Sequence, residues 1–316
     1  RLLACFGSGT QNKELRYSDD EGQTWTQASG FSFYDQWGSP KKTLSVNNDS
    51  VLYYMAHTWQ NSPWGKVLQL YESTDFGENY TKIWNSSVGY DIEDADIWKL
   101  PNSDTLYLID HVNEELSILL FDKSLDSTIT LSSLDYSQNS FPGLGAHLSG
   151  WNNNGNLELY VFCEGNDDVY QSLDTGQSWT YLSTCPEHVW RKVWMVNPNT
   201  GELYVGGFQL NKSNDGLIWE EQYPYWWVYY ADSKDSMHVD MMNLDYFVKS
   251  DGTPFFIMAN HAGVYVSYDN FNSTVNLGLN NLNVVTLYDQ TTASDGFVYC
   301  GAQDKGTFVY DGDSKA

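Results

Sequence analysis

The stretch that decides the fold is Tyr17–Trp25, YSDDEGQTW, read beside Tyr170–Trp179, YQSLDTGQSW. Both share the phrase Ser-x-Asp-x-Gly-x-x-Trp: Ser18, Asp20, Gly22 and Trp25 in the first, Ser172, Asp174, Gly176 and Trp179 in the second. A third copy, YESTDFGENY, carries Ser73, Asp75 and Gly77, with Tyr80 in place of Trp. KSNDGLIW is one residue short and carries Ser213, Asp215 and Trp219; VSYDNFNST keeps only Ser267 and Asp269 of the polar core. Short Ser and Asp side chains bond nearby backbone N–H groups, Gly accepts positive φ, and the aromatic anchors the turn on a sheet. In this reading the phrase is a hairpin turn, called the box turn below. It makes Asp20, Asp75, Asp174 and Asp215 structural acceptors rather than catalytic carboxylates.

Around the box turns lie runs with period-two alternation, bounded by Gly, Asn and Asp, as in strands. LLACFG, ELRYSD and TWTQAS supply strands two to four of a first unit, and a second runs from about Lys42 to Ser86. DADIWKL, DTLYLIDHV and LSILLFD belong to a third unit without a box; AHLSGWN, LELYVFCE and DVYQSLD to a fourth. VWRKVWMV, GELYVGGF and GLIWEE mark a fifth, and MHVDMMNLDYF, PFFIMANH and GVYVSYD a sixth. NVVTLYDQ, GFVYCGAQD and GTFVYDG give three strands of a seventh. A repeat of about 45 residues predicts an all-β propeller of about seven four-stranded blades, with box turns between third and fourth strands. Residues 1–316 read as a single propeller domain with incomplete terminal blades, and hence as part of a longer chain.

The box residues resemble the Asp box of sialidases, two-propeller xyloglucanases and sortilin-like receptors, where the box is structural. NPNTGELYVGG, HVDMMNLDYFVKSDGTPFFIMANHAGVYVSYDN, NLGLNNLNVVTLYD and YCGAQDKGTFVY look like extracellular repeat proteins of Bacteroidota, whose relatives often carry a type IX secretion sorting domain. The resemblance implies a secreted or cell-surface protein and assigns no chemistry.

The formal net charge of −25 repels phosphate backbones and anionic lipid, which excludes nucleic acid as a partner. No apolar run reaches membrane-spanning length, so direct membrane insertion is not expected. The four cysteines show no zinc spacing. Cys163 and Cys185 both map to the top of the fourth unit, where a disulfide would pin a loop.

In such a ring the first strand of each blade starts at the face opposite the box turns. His147, His188 and His238 map to starts of first strands; His57, His111 and His261 map to ends of second strands. All six thus gather at one mouth of the channel, the expected ligand surface. Nearby lie Glu93, Asp94, Asp96, Arg191 and Asp240, with Trp226 and Trp227 of YPYWWVYY available for stacking on sugar rings. His238 and Asp240, two apart on a strand, would point the same way and with a further histidine could hold a divalent ion. No cofactor is otherwise predicted.

Sialidase chemistry needs three converging arginines, and only Arg1, Arg16 and Arg191 exist, with Arg16 beside a box. A xyloglucanase-like hydrolase would need two carboxylates across two propellers, with Asp94, Asp96 or Asp240 as half the pair. The favoured reading is a non-catalytic module that binds glycan or protein, with His188, Arg191, Trp226, Trp227, His238, Asp240 and His261 as ligand candidates. Other domains of the same chain are expected as neighbours.

Overall fold

The computed structural model describes residues 1–6, 14–20, 23–30, 40–45, 51–61, 64–86, 96–100, 103–112, 115–123, 127–135, 146–163, 166–186, 193–223, 237–260, 263–277, 287–292, 298–302 and 306–310. Among the described residues there is no α-helix, and no helix able to cross a membrane.

The strands form seven separate antiparallel sheets in chain order. The first has β1 (Leu2–Phe6), β2 (Glu14–Ser18) and β3 (Thr26–Gln27). The second has β4 (Pro40–Ser45), β5 (Leu52–Asn61), β6 (Trp64–Ser73) and β7 (Thr81–Asn85). The third has β8 (Asp96–Lys99), β9 (Leu106–Val112), β10 (Glu115–Asp122) and β11 (Ser127–Asp135). The fourth has β12 (Ala146–Asn153), β13 (Asn156–Cys163), β14 (Asp168–Ser172) and β15 (Thr180–Thr184). The fifth has β16 (Val193–Val196), β17 (Leu203–Gly206), β18 (Leu210–Ser213) and β19 (Trp219–Tyr223). The sixth has β20 (Met241–Val248), β21 (Pro254–Asn260), β22 (Gly263–Ser267) and β23 (Val275–Asn276). The seventh has β24 (Leu287–Thr292), β25 (Val298–Ala302) and β26 (Gly306–Tyr310). Every sheet is an up-and-down meander, the blade of an all-β propeller. Five blades are complete among the described residues; the first and last have three strands, so the expected seven four-stranded blades are five plus two shorter sheets.

Two compact units divide the chain, Arg1–Thr184 with the first four blades and Cys185–Ala316 with the last three. Inside each unit the cores lie between consecutive blades, because strand alternation sends neighbouring residues to opposite faces. Tyr53 packs with Met55, Leu68 and Leu70 against Ile97, Leu106, Leu108 and Phe121 of the third blade. Tyr54, its neighbour, faces the other way and joins Leu15 and Ala28 of the first blade. Ile109, Leu116 and Ile118 meet Ala146, Leu148, Leu159 and Val161 between the third and fourth blades. In the second unit, Val193, Met195 and Tyr204 meet Met241, Phe256, Met258 and Phe271. A strand buried on both faces loses the polar alternation of a half-solvated sheet, which is why VLYYM is apolar throughout. Each such buried side chain contributes about 2 kcal/mol.

The box turns stand between third and fourth strands, as expected. Ser18 Oγ donates to Asp20 Oδ1 at 2.8 Å, and that oxygen also accepts the Thr24 N–H at 2.8 Å. The same pattern recurs in Asp75 with Asn79 N at 2.9 Å, and in Asp174 with Ser178 N at 2.8 Å. Ser73 and Ser172 Oγ accept the N–H of Gly77 and Gly176 at 2.9 and 2.8 Å. Gly176 sits at φ +90°, which a side chain rarely adopts. Gly22 lies outside the described residues.

VSYDNFNST, which the sequence reading leaves with only Ser267 and Asp269, is a complete turn. Phe271 occupies the glycine place at φ +66° and its N–H reaches Ser267 Oγ at 2.8 Å. Its ring is 4% exposed and lies 5.0 Å from Phe256 and 5.9 Å from Tyr204, centroid to centroid. Packing between blades offsets the strain of the left-handed backbone.

The turns also lock onto the preceding blade rather than onto their own sheet alone. Trp179 Nε1 donates to Ser132 Oγ on β11 at 2.9 Å, and that hydroxyl donates to Gly176 O at 2.6 Å. Between the first two blades, Ser29 N–H donates to Glu78 O and Tyr80 N–H to Ser29 O, each at 2.9 Å.

Candidate functional site

The strand-start rim of the first unit is set by β8 and β12, the inner strands of neighbouring blades. Asp96 opens β8 and is 3% exposed. Its Oδ1 accepts the N–H of Ile97 at 2.8 Å and its Oδ2 the N–H of Leu148, on β12, at 2.9 Å. His147 Nδ1 stands 3.8 Å from that Oδ2, an ion-pair distance rather than a hydrogen bond, with the ring 31% exposed. A carboxylate engaged at both oxygens by backbone donors ties two blades together. Asp96 therefore tethers the two blades.

In the second unit the corresponding edge is built by residues 237–241 and Asn260. The sequence places His238 and Asp240 on a strand, pointing one way; the structure corrects this. β20 begins only at Met241, and Asp240 takes φ +60°, which breaks the extended run. His238 is 1% exposed and its Nδ1 is 2.8 Å from Val239 O, so that nitrogen carries the proton. Its own carbonyl accepts the Asn260 amide at 2.9 Å. Met241 N–H donates to Gly207 O of the fifth blade at 2.7 Å, fixing the segment on both sides. Asp240 stays half-buried at this edge, in a backbone conformation that costs about 1 kcal/mol or more. The divalent-ion reading loses its shared strand face, and among the described residues no three His, Cys, Asp or Glu side chains converge on a metal position.

Three residues that sequence reading passed over belong to the same edges. Asp110, near the end of β9, is 8% exposed, and Asp167, before β14, is 6% exposed at φ +68°. Asn260 closes β21. A single Asp inside the apolar run YLIDHV was the available signal for the first; nothing local marked the other two.

Asp94, His188, Arg191, Trp226, Trp227 and His261 lie outside the described residues, as does Glu93. His57 belongs to the middle of β5, opposite Leu68, not to its end, because the strand runs on to Asn61. His111 lies one residue before the end of β9, as expected. Cys163 and Cys185, for which the sequence suggests a disulfide, are both buried, and Cys163 packs among Ile109, Leu116 and Ala146 as a small hydrophobe.

The box carboxylates are held for structure. Asp20 is lowered to about 2, first by the Thr24 hydroxyl, and Asp174 to about 2 by the Ser178 hydroxyl. Asp75 is also lowered to about 2, chiefly by the Asn79 N–H. Asp215 is lowered by the N–H groups of Leu217 and Ile218. Arg1 binds Asp19 and Glu78, and Arg16 binds Glu14, so neither described arginine stands at the strand-start edge.

No protein-family model matches the chain, and no curated protein does. Solved structures share its architecture. A GH74 xyloglucanase from Xanthomonas campestris aligns over 97% of this chain and 49% of its own, with TM-score 0.57 and 14% identity. This chain thus spans about half the length of that enzyme. YCF48 from Cyanidioschyzon merolae aligns over 97% of this chain and 94% of its own, with TM-score 0.51 and 11% identity. An α-L-arabinofuranosidase from Fusarium graminearum covers 84% of this chain and 86% of its own, with TM-score 0.50 and 12% identity. At such identities the likeness is one of architecture, and the chain is an all-β propeller protein.

Proposed function

We propose that this chain is a single propeller domain acting as a non-catalytic binding module, which takes a glycan or protein ligand at its strand-start edges within a secreted or cell-surface protein. The observation that carries the reading is the use made of Asp96. Both of its oxygens accept backbone N–H groups, one from its own strand and one from the next blade, which supports a scaffold role for one of the three carboxylates considered for catalysis. What remains at those edges is a preorganised recognition surface: a half-exposed His147 and an Asp240 held in a strained backbone. The resemblance to Asp-box repeat proteins supports an extracellular location.

The test is a screen of immobilised plant and host polysaccharides and of surface-protein extracts, with product analysis for new reducing ends. Retention without turnover is the expected result, weakened about tenfold or more in Asp240→Asn, a substitution the left-handed backbone tolerates. Turnover that disappears in Asp240→Asn would establish a xyloglucanase-like hydrolase instead.

A further inference from the structure

We infer that Asn154 is a site of spontaneous covalent modification, deamidation through a cyclic imide with Gly155, and that the side chain of Asn152 holds the reaction back. NNNGN, residues 152–156, contains the chain's single Asn-Gly pair. The pair forms the two central positions of the β12–β13 hairpin, whose last register pair is Asn153 with Asn156. Asn154 takes φ +51° and Gly155 φ +96°, the left-handed pair that a two-residue turn needs. Both are exposed, and a Cβ at Gly155 would meet nothing within 4 Å, so no packing resists local opening of the turn.

The reaction needs only water. The Gly155 amide nitrogen attacks Asn154 Cγ; the N–Cγ bond forms, the Cγ–Nδ2 bond breaks, and ammonia leaves with the proton that the Gly155 nitrogen gave up. Water then opens the imide at either carbonyl. One opening gives aspartate, the other isoaspartate, in which the main chain runs through Cβ and Cγ of the former side chain. That added main-chain carbon is incompatible with the Asn153–Asn156 register across a two-residue turn, so the product loosens this end of the fourth blade. The Asn154 carboxamide is lightly held, its Nδ2 donating to Asn153 Oδ1 at 3.4 Å. The attacking nitrogen is held better, because the Gly155 N–H donates to Asn152 Oδ1 at 2.8 Å. Attack requires that bond to open, which makes Asn152 the gate. Competing positions are disarmed. Asp215 and Asp251 also precede glycine, but each is a carboxylate, a poor electrophile, held below its ordinary value by the N–H of Leu217 and of Thr253 respectively. Every other asparagine precedes a residue with a side chain, which crowds the nitrogen that would attack.

The full chain is aged in mildly alkaline buffer, and peptide mapping by mass spectrometry follows each asparagine. Isoaspartate is expected first at position 154, faster as pH rises because the attacking amide must lose its proton, and faster again in urea, where the hairpin is open. Asn152→Ala is expected to raise the rate in the folded chain about fivefold, the weight of one neutral hydrogen bond, and to leave the rate in urea unchanged. Asn152→Asp, which keeps an acceptor for the Gly155 N–H, is expected to stay near the parent rate. Asn152 is exposed, and a melting curve verifies that both variants fold. Another asparagine converting first, an unaltered folded-state rate in Asn152→Ala, or equal rates in the folded chain and in urea would each overturn the inference.

Discussion

Phe271 is the residue at which composition and conformation disagree most. A glycine there would match the other box turns and relieve about 1 kcal/mol of backbone strain, yet the ring fills the core between the fifth and sixth blades. Removing a buried phenylalanine costs about 3–5 kcal/mol, so Phe271→Gly is expected to destabilise by about 2–4 kcal/mol in urea denaturation, despite restoring the repeat. The box aspartates give a pH signature. Asp20, Asp75 and Asp174 are held at about 2 in the fold against an ordinary 3.8, so each contributes stability above about pH 4 that is lost as pH falls toward 2. Comparing urea midpoints at pH 5 and pH 2.5 should show a smaller drop in Asp174→Asn than in the parent, with the variant already lower at pH 5. A drop of equal size in both would remove the box turn as a source of acid sensitivity.

At the scale of elements, the box turn is a clasp between blades. Ser29 exchanges backbone bonds with Glu78 and Tyr80, and Gly30, at φ +95°, lies flat against the seam. A Cβ on Gly30 would fall 1.7 Å from the Tyr80 carbonyl oxygen, so the seam must open to admit it. Gly30→Ala is therefore expected to cost about 2–3 kcal/mol, with faster amide exchange at Ser29 and Tyr80 while β12–β15 stay protected. The sequence reading has the box aromatics anchor the turn on a sheet; for Trp179, the bond to Ser132, 47 positions earlier, makes that sheet the neighbouring blade. Strand ends were misjudged for a related reason. β5 continues past His57 because its partner β6 runs equally long, with Trp64 paired to Asn61, and only the partner reveals that length.

For the whole molecule, 41 acidic against 16 basic side chains dominate the long-range behaviour. With the isoelectric point near 4.2, solubility is expected to pass through a minimum there, and duplex DNA should not be retarded by the protein at about 0.1 M salt. DNA binding that weakens with salt would contradict the charge argument. The same field favours cationic partners.

The sequence by itself determined the strands, the turns and the propeller class, because each depends on residues a few positions apart: alternation within a strand, Ser and Asp bonding to N–H groups two to four residues on. It also determined the acidic character, from which the repulsion of nucleic acid is expected. Only the tertiary structure decided which carboxylate is a tether and which stands at an accessible edge. Asp96 meets Leu148 across 52 residues, and Asp240 leaves the strand pattern because Met241 is drawn to Gly207 of another blade. Such pairings arise where blades pack face to face, and a reading of local spacing carries no information about which distant backbone group will arrive at a given oxygen.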